Sequence, residues 1–205
     1  MARLLAKTPA TPNQVSLASF AIALGSLGLF LSGHNVWAGV AAQASSVVDG
    51  ADGDLARLKN MSTPFGGFFD AVLDRYADVA ILAGLAYWSI QSEEWVSPTL
   101  VVTVGLLAIV GALLVSYTRA RVEASMGISS GISFPGLAGA LATRDARLLA
   151  VMIGAVAGQA FATLALLALL THALVVWRVA IVRGASAPEH GASSVKGDDT
   201  HEGGR

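Results

Sequence analysis

The chain has 205 residues, 54% of them hydrophobic and only 13% charged, with a formal net charge of −1. That composition belongs to a membrane protein rather than a soluble domain. The near-neutral balance, without any basic run, argues against a nucleic-acid partner, and the absence of cysteine excludes a disulfide framework and a thiolate metal site.

A basic start at Arg3 and Lys7 precedes an apolar run from Val15 to Leu31, too long for a signal-peptide core and followed by further apolar segments. A helix needs about 20 apolar residues to cross about 30 Å of hydrocarbon. On that measure the sequence predicts an all-α, polytopic membrane protein with six transmembrane helices. The first runs from Val15 to Leu31, with Pro12 just ahead and the polar turn Ser32-Gly33-His34-Asn35 behind. The second begins near Val36 and continues into an aspartate-rich stretch. Thr63 and Pro64, a capping residue and a first-turn proline, open the third, from about Phe65 to Ile90. The fourth runs from Pro98 to about Tyr117. Gly127 to Ala142, rich in Gly and Ser and containing Pro135, reads as a loop near the interface. Arg147 to Arg183 admits one long span with an apolar remainder or a hairpin of two spans turning after Gly158.

Charge sidedness selects the hairpin. Six spans place Arg3, Lys7, Arg57, Lys59, Arg119, Arg121, Arg144, Arg147, Arg183, Lys196 and Arg205 on one side, leaving Glu93 and Glu94 in the opposite loops and Arg75 and Arg178 in or near spans. Both termini are then cytoplasmic. Residues 1–183 form the membrane domain, and the polar, Gly- and Ser-rich stretch 184–205 is expected to be a disordered tail.

Six of the nine aspartates fall between Asp49 and Asp78. They sit in the pattern D-x-x-D-G-x-x-A-R, eight residues, then G-x-x-x-D-x-x-x-D: Asp49, Asp52, Gly53, Ala56, Arg57, Gly66, Asp70 and Asp74. On helices, each aspartate pair shares one face. Helix rise places Asp49 roughly 20 Å and Asp70 roughly 30 Å across from the outer ends of their spans, near the cytoplasmic interface. Carboxylates at such depth cost energy and repel one another. Two divalent cations, Mg²⁺ or Mn²⁺, offset both penalties, and hard ions of this kind complete their shells with substrate phosphates. A metal pair about 3.5–4 Å apart clamps the attacking and leaving oxygens of a phosphoryl displacement. Gly53, Gly66 and Ala56 leave room for a bulky phosphate or nucleotide, and Arg57 offers a bidentate phosphate contact. Asp54 and Asp78 read as packing or ion-pair residues, Asp78 with Arg75 as its partner.

At these eight positions the chain resembles the CDP-alcohol phosphotransferase (CDP-alcohol phosphatidyltransferase) family of membrane enzymes, and the six-span layout agrees over about residues 10–183. The resemblance implies that Asp49, Asp52, Asp70 and Asp74 bind two metal ions, that Asp74 is also the general base on the acceptor hydroxyl, and that Gly53, Ala56, Arg57 and Gly66 surround the CDP moiety, with CMP leaving. The stretches SSVVDGADGDLARL and GGFFDAVLDRYAD look most like the transferase half of di-myo-inositol phosphate phosphate synthases. That half is often fused to a cytidylyltransferase; here the first span starts about fifteen residues in, so a separate enzyme is expected to supply the CDP-alcohol. Donor (CDP-inositol or CDP-diacylglycerol) and phosphorylated acceptor, such as inositol phosphate, both stay open.

Arg119 and Arg121, in SYTRARVEAS, read equally as interfacial anchors or as ligands of an acceptor phosphate. Pro12, Asn13 and Ser16 either border the cytidine or start the first helix. Gly154 and Gly158 form a G-x-x-x-G pair that permits close helix contact within a subunit or between two, and a homodimer is expected. His34, His172, His190 and His201 lack ligand spacing. A carboxylate-based ion transporter and a Mg²⁺-dependent prenyltransferase are the rival readings of the acidic residues.

Overall fold

The structure, a computed structural model, describes residues 2–126 and 143–185. Among them are seven helices and no strand: α1 (Ala2–Leu5), α2 (Pro12–Leu31), α3 (Asn35–Leu58), α4 (Pro64–Ser92), α5 (Pro98–Met126), α6 (Arg144–Ala157) and α7 (Ala160–Ala185). The expected loop from Gly127 to Ala142 and nearly all of the expected tail lie outside the described residues, as do His190 and His201.

Local chemistry sets the helix ends. Thr11 caps α2 in a capping box with Gln14, and Pro12 occupies the first turn. Thr63 caps α4 by accepting from the Gly66 N–H, followed by Pro64, as the sequence predicts. Asn60, in the left-handed region at φ 54°, closes α3. The long C-terminal segment is a hairpin: it breaks at Gly158, whose φ of 70° favours glycine, and Gly158 N–H caps the last carbonyls of α6. α5 continues nine residues beyond the expected end at Tyr117, because no glycine or proline intervenes before Met126.

Three helices, α2, α5 and α7, are long and apolar enough to cross a membrane. α3 and α4 have the length, at 24 and 29 residues, but carry the aspartates. α6 has 14 residues, about 21 Å of helix, less than the hydrocarbon thickness.

α2 packs on both α3 and α4, whereas α3 and α4 do not pack on each other along their length; α6 lies against α3, and α7 against α5, α4 and α6. The core where these helices meet combines small residues, such as Ala23, Ala42 and Ala155, with Phe30, Ile81, Leu85 and Leu164. Gly154 sits so close to α7 that a Cβ there would collide with Thr163, so this half of the G-x-x-x-G pair serves a contact within the subunit and Gly158 serves the turn.

The end of the bundle away from the aspartates is tied by polar side chains. Asn35 donates to the Ala155 carbonyl at 2.7 Å, and Ser26 donates to the Ala38 carbonyl at 2.8 Å. Glu93, 6% exposed, accepts from Ser89 Oγ at 2.5 Å and from the Phe161 backbone N–H at 2.8 Å. It thereby satisfies a free N–H at the start of α7. Replacing Glu93 with Leu is expected to destabilise the protein by about 1.5–3 kcal/mol, and Glu93→Gln, which keeps an acceptor, by less; thermal unfolding in detergent measures both.

Candidate functional site

The aspartates occupy the ends of α3 and α4 where α2 and α6 close in from the sides. Asp49, Asp70 and Asp74 each direct a carboxylate oxygen to one point, these atoms lying within 4.8 Å of one another. That spacing suits a shared cation. Asp70 Oδ1 is buried and has no hydrogen-bond partner among the described residues, the condition of an acceptor that awaits a ligand. An all-oxygen donor set fits a hard divalent ion, so these three carboxylates would hold one.

Asp52, the fourth motif aspartate, stands beside this trio rather than within it and accepts a hydrogen bond from Ser16 on α2. Ser19, one turn further, donates to Asp49 Oδ1 at 3.0 Å. Both serines are buried on the α2 face that also presents Ala23, Ser26 and Phe30. Hydroxyls on an otherwise apolar helix thus set the orientation of two motif carboxylates. Ser19 was not singled out in the sequence; the three- and four-residue spacing of these small and polar side chains was the available signal.

The trio opens onto a cleft, and Asp70 belongs to both. Asp52, Gly53, Ala56 and Arg57 on α3, Gly66 on α4, and Pro12, Asn13 and Ser16 on α2 line it. All the residues expected around a nucleotide therefore share one surface. A Cβ on Gly66 would meet Thr63 Oγ1 at 3.1 Å and Asn13 Oδ1 at 3.2 Å, so a side chain there would press on the capping hydroxyl and narrow the cleft. Two helix N-termini, those of α2 and α4, face this space without any acidic residue in their first turns, which favours an anion. Arg57 is 79% exposed and pairs with Asp54 at 3.3 Å, in keeping with an ion-pair role for Asp54.

Charge balance comes from α6. Arg144 Nη1 lies 2.9 Å from Asp49 Oδ2 and 3.0 Å from Asp74 Oδ1, and its Nε donates to Asp78 Oδ1 at 3.0 Å. The two Nη1 approaches are close ion pairs whose angles fall short of aligned hydrogen bonds. Arg147 Nη2 donates to Asp78 Oδ2 at 2.9 Å. The expectation that Asp78 pairs with Arg75 is therefore corrected. Asp78 faces the interior, where α6 delivers two guanidinium groups, while Arg75 stays partly exposed and approaches Asp74 Oδ2 at 3.8 Å.

Sequence reasoning used Arg144 and Arg147 only to assign a side of the membrane. Two arginines in the first turn of a helix oppose its dipole, and this was a readable sign of an acidic partner elsewhere. Arg119 and Arg121 lie exposed on the last turns of α5, Arg119 paired with Glu123 at 3.2 Å. Neither His34 nor His172 joins the carboxylate group.

Half-buried carboxylates converging beside a cleft that two helix N-termini face, in a bundle with three helices long and apolar enough to cross a membrane, suit a membrane protein that handles phosphate with a divalent ion. Residues 9–184 match the family described as CDP-alcohol phosphatidyltransferase, and the chain belongs to that family. It is 44% identical over 160 residues to the bifunctional IPC transferase and DIPP synthase of Rubrobacter xylanophilus, a match covering 78% of this chain but 34% of that protein. It is 33% identical over 155 residues to the phosphatidylinositol phosphate synthase of Corynebacterium glutamicum, covering 75% of this chain and 66% of that one. The chain thus spans about a third and just under two thirds of the lengths of these relatives.

Among solved structures, the phosphatidylinositol phosphate synthase of Mycobacterium tuberculosis with CDP-DAG bound superimposes with a TM-score of 0.70 at 27% identity, covering 88% of this chain and 90% of that one. The same enzyme in complex with manganese and citrate gives 0.73 at 28% identity, covering 91% and 90%. Family membership sets aside the transporter and prenyltransferase readings.

Arg144 is the main counter-charge of Asp49 and Asp74, so Arg144→Gln is expected to lower the stability of metal-free protein by about 3 kcal/mol. Thermal unfolding in chelator and in Mn²⁺ measures this, with the deficit shrinking when the cation is supplied.

Proposed function

We propose that this chain is an integral-membrane transferase that moves a substituted phosphate from a CDP-alcohol to the hydroxyl of an acceptor alcohol, with release of CMP. The reading rests most heavily on one observation: Asp70 belongs both to the convergent carboxylates and to the cleft lined by Gly53, Ala56, Arg57 and Gly66. The relatives' names and the CDP-DAG complex of the tuberculosis enzyme support CDP-diacylglycerol or CDP-inositol as donor and a phosphorylated alcohol such as inositol phosphate as acceptor.

In this reading Asp49, Asp52, Asp70 and Asp74 hold two divalent ions, Mg²⁺ or Mn²⁺. When bound, such ions neutralise the diphosphate and stabilise charge on the oxygens of the displacement. Ser16 and Ser19 keep Asp52 and Asp49 turned toward the site. The cleft seats the nucleotide, with the α2 and α4 N-termini and Arg57 facing its phosphates. Asp74 accepts the proton of the acceptor hydroxyl as the new oxygen–phosphorus bond forms and the bond to the CMP oxygen breaks. Arg144, released in part from Asp74, stays tied to Asp78 and supplies positive charge beside the reacting groups.

The same proposal has α2 to α7 as six spans with both termini on the cytoplasmic side. Helix polarity supports it: the N-termini of α2, α4 and α6 and the C-terminal part of α3 meet at the aspartates, while the Glu93 and Asn35 contacts tie their other ends. Arg119 and Arg121, at the C-terminal end of α5 on that same side, are proposed to hold the acceptor's phosphate.

Purified protein incubated with Mg²⁺, a panel of CDP-alcohols and phosphorylated acceptors, and scored for CMP and diester, tests the reaction. Asp70→Asn and Asp74→Asn are expected to reduce CMP release by a factor of at least about 10³ while the protein still inserts and folds; retained turnover would refute the assignment. Arg119→Ala is expected to raise the acceptor KM about tenfold with little change for the donor, and equal effects on both would leave Arg119 as an interfacial anchor.

A further inference from the structure

We infer that Lys59 is a positioning residue for the nucleotide cleft, acting by clamping the segment that leads into α2; this rests on the transferase reading above. Lys59 follows the end of α3, two residues beyond Arg57, and its half-buried side chain turns away from the cleft toward residues 6–11. Its Nζ donates to the Thr8 carbonyl at 2.6 Å and to the Ala10 carbonyl at 2.7 Å. Two of the ammonium's three donors are thus spent on backbone carbonyls of one short stretch.

The register of that stretch matters to the cleft. Thr11, the next residue after Ala10, is the α2 N-cap, and Pro12, Asn13 and Ser16 are cleft wall. Asn13 Oδ1 stands against Gly66 on the opposite wall, and Ser16 holds Asp52. Thr8 and Pro9 are exposed, and α1 before them is a single turn resting on α3. A basic residue at a helix C-terminus satisfies the helix dipole wherever its head group points, and that requirement alone does not call for two carbonyls at residues 8 and 10. Lys59 instead couples the end of the motif helix to the start of the helix that completes the cleft. Its Nζ touches no nucleotide; it fixes the wall that does. Loosening the wall would tax nucleotide binding, because the segment would have to be ordered on binding.

The chain has no cysteine, so a nitroxide on Lys7→Cys, an exposed position, reports the lead-in alone. Lys59→Met is expected to sharpen the label's spectrum and to weaken CMP binding, measured by calorimetry with Mn²⁺ present, roughly tenfold. Lys59→Arg is expected to restore both, and thermal unfolding to show the two variants equally folded. An unchanged label would overturn the clamp. A freed label with unchanged CMP affinity, or a loss that Lys59→Arg does not recover, would overturn its role in the cleft. Wild-type protein that binds no CMP would refute the transferase reading and with it the positioning role, while the label would still decide the clamp.

Discussion

Mutual repulsion among carboxylates gathered inside a helical bundle is the constraint on which this structure turns. Each ionised pair at the observed spacing opposes the fold by on the order of 3–4 kcal/mol in a partly desolvated setting, and Asp49, Asp70 and Asp74 form three such pairs. The chain answers by holding α3 and α4 apart, with α2 on one side supplying hydroxyls and α6 on the other supplying guanidinium groups. Neither answer reaches Asp70 Oδ1, which stays buried and unpaired. The charge left over at that point suits a divalent cation.

Around this acidic centre the bundle divides its labour by end. At one end polar ties are few and purely structural: Glu93 on the start of α7, Asn35 on the end of α6, Ser26 on the start of α3. At the other, Ser16, Ser19 and Arg144 meet the aspartates. The N-termini of α2 and α4 favour an anion in the cleft, next to a cluster that favours a cation. A phosphate bridged to a metal would satisfy both fields at once.

The sequence displayed the α3 and α4 half of the site well. An eight-position pattern with fixed spacing needs only helix periodicity to be placed, and Thr63-Pro64 and Gly158 announce their cap and break through backbone chemistry that acts over a few residues. Arg144 and Arg147 escaped because their partner Asp78 lies 66 and 69 residues away in the chain, and no local rule connects them. Asp52 looked equivalent to Asp49 by spacing, yet Asp49 meets Arg144 of α6 while Asp52 lines the cleft. Span counting was legible for α2, α5 and α7, which are long and apolar enough to cross a membrane; the aspartates lower the hydropathy of α3 and α4, and α6 has only 14 residues between the Thr143 cap and Gly158.

The central claim is that side chains from two helices share divalent ions at one point, and a Mn²⁺ titration of the purified protein followed by electron paramagnetic resonance tests it most directly. The account predicts saturable binding with the spectrum of a spin-coupled Mn²⁺ pair, lost in Asp70→Asn. Only weak, unsaturable binding with the spectrum of isolated ions, unaffected by that substitution, would contradict it.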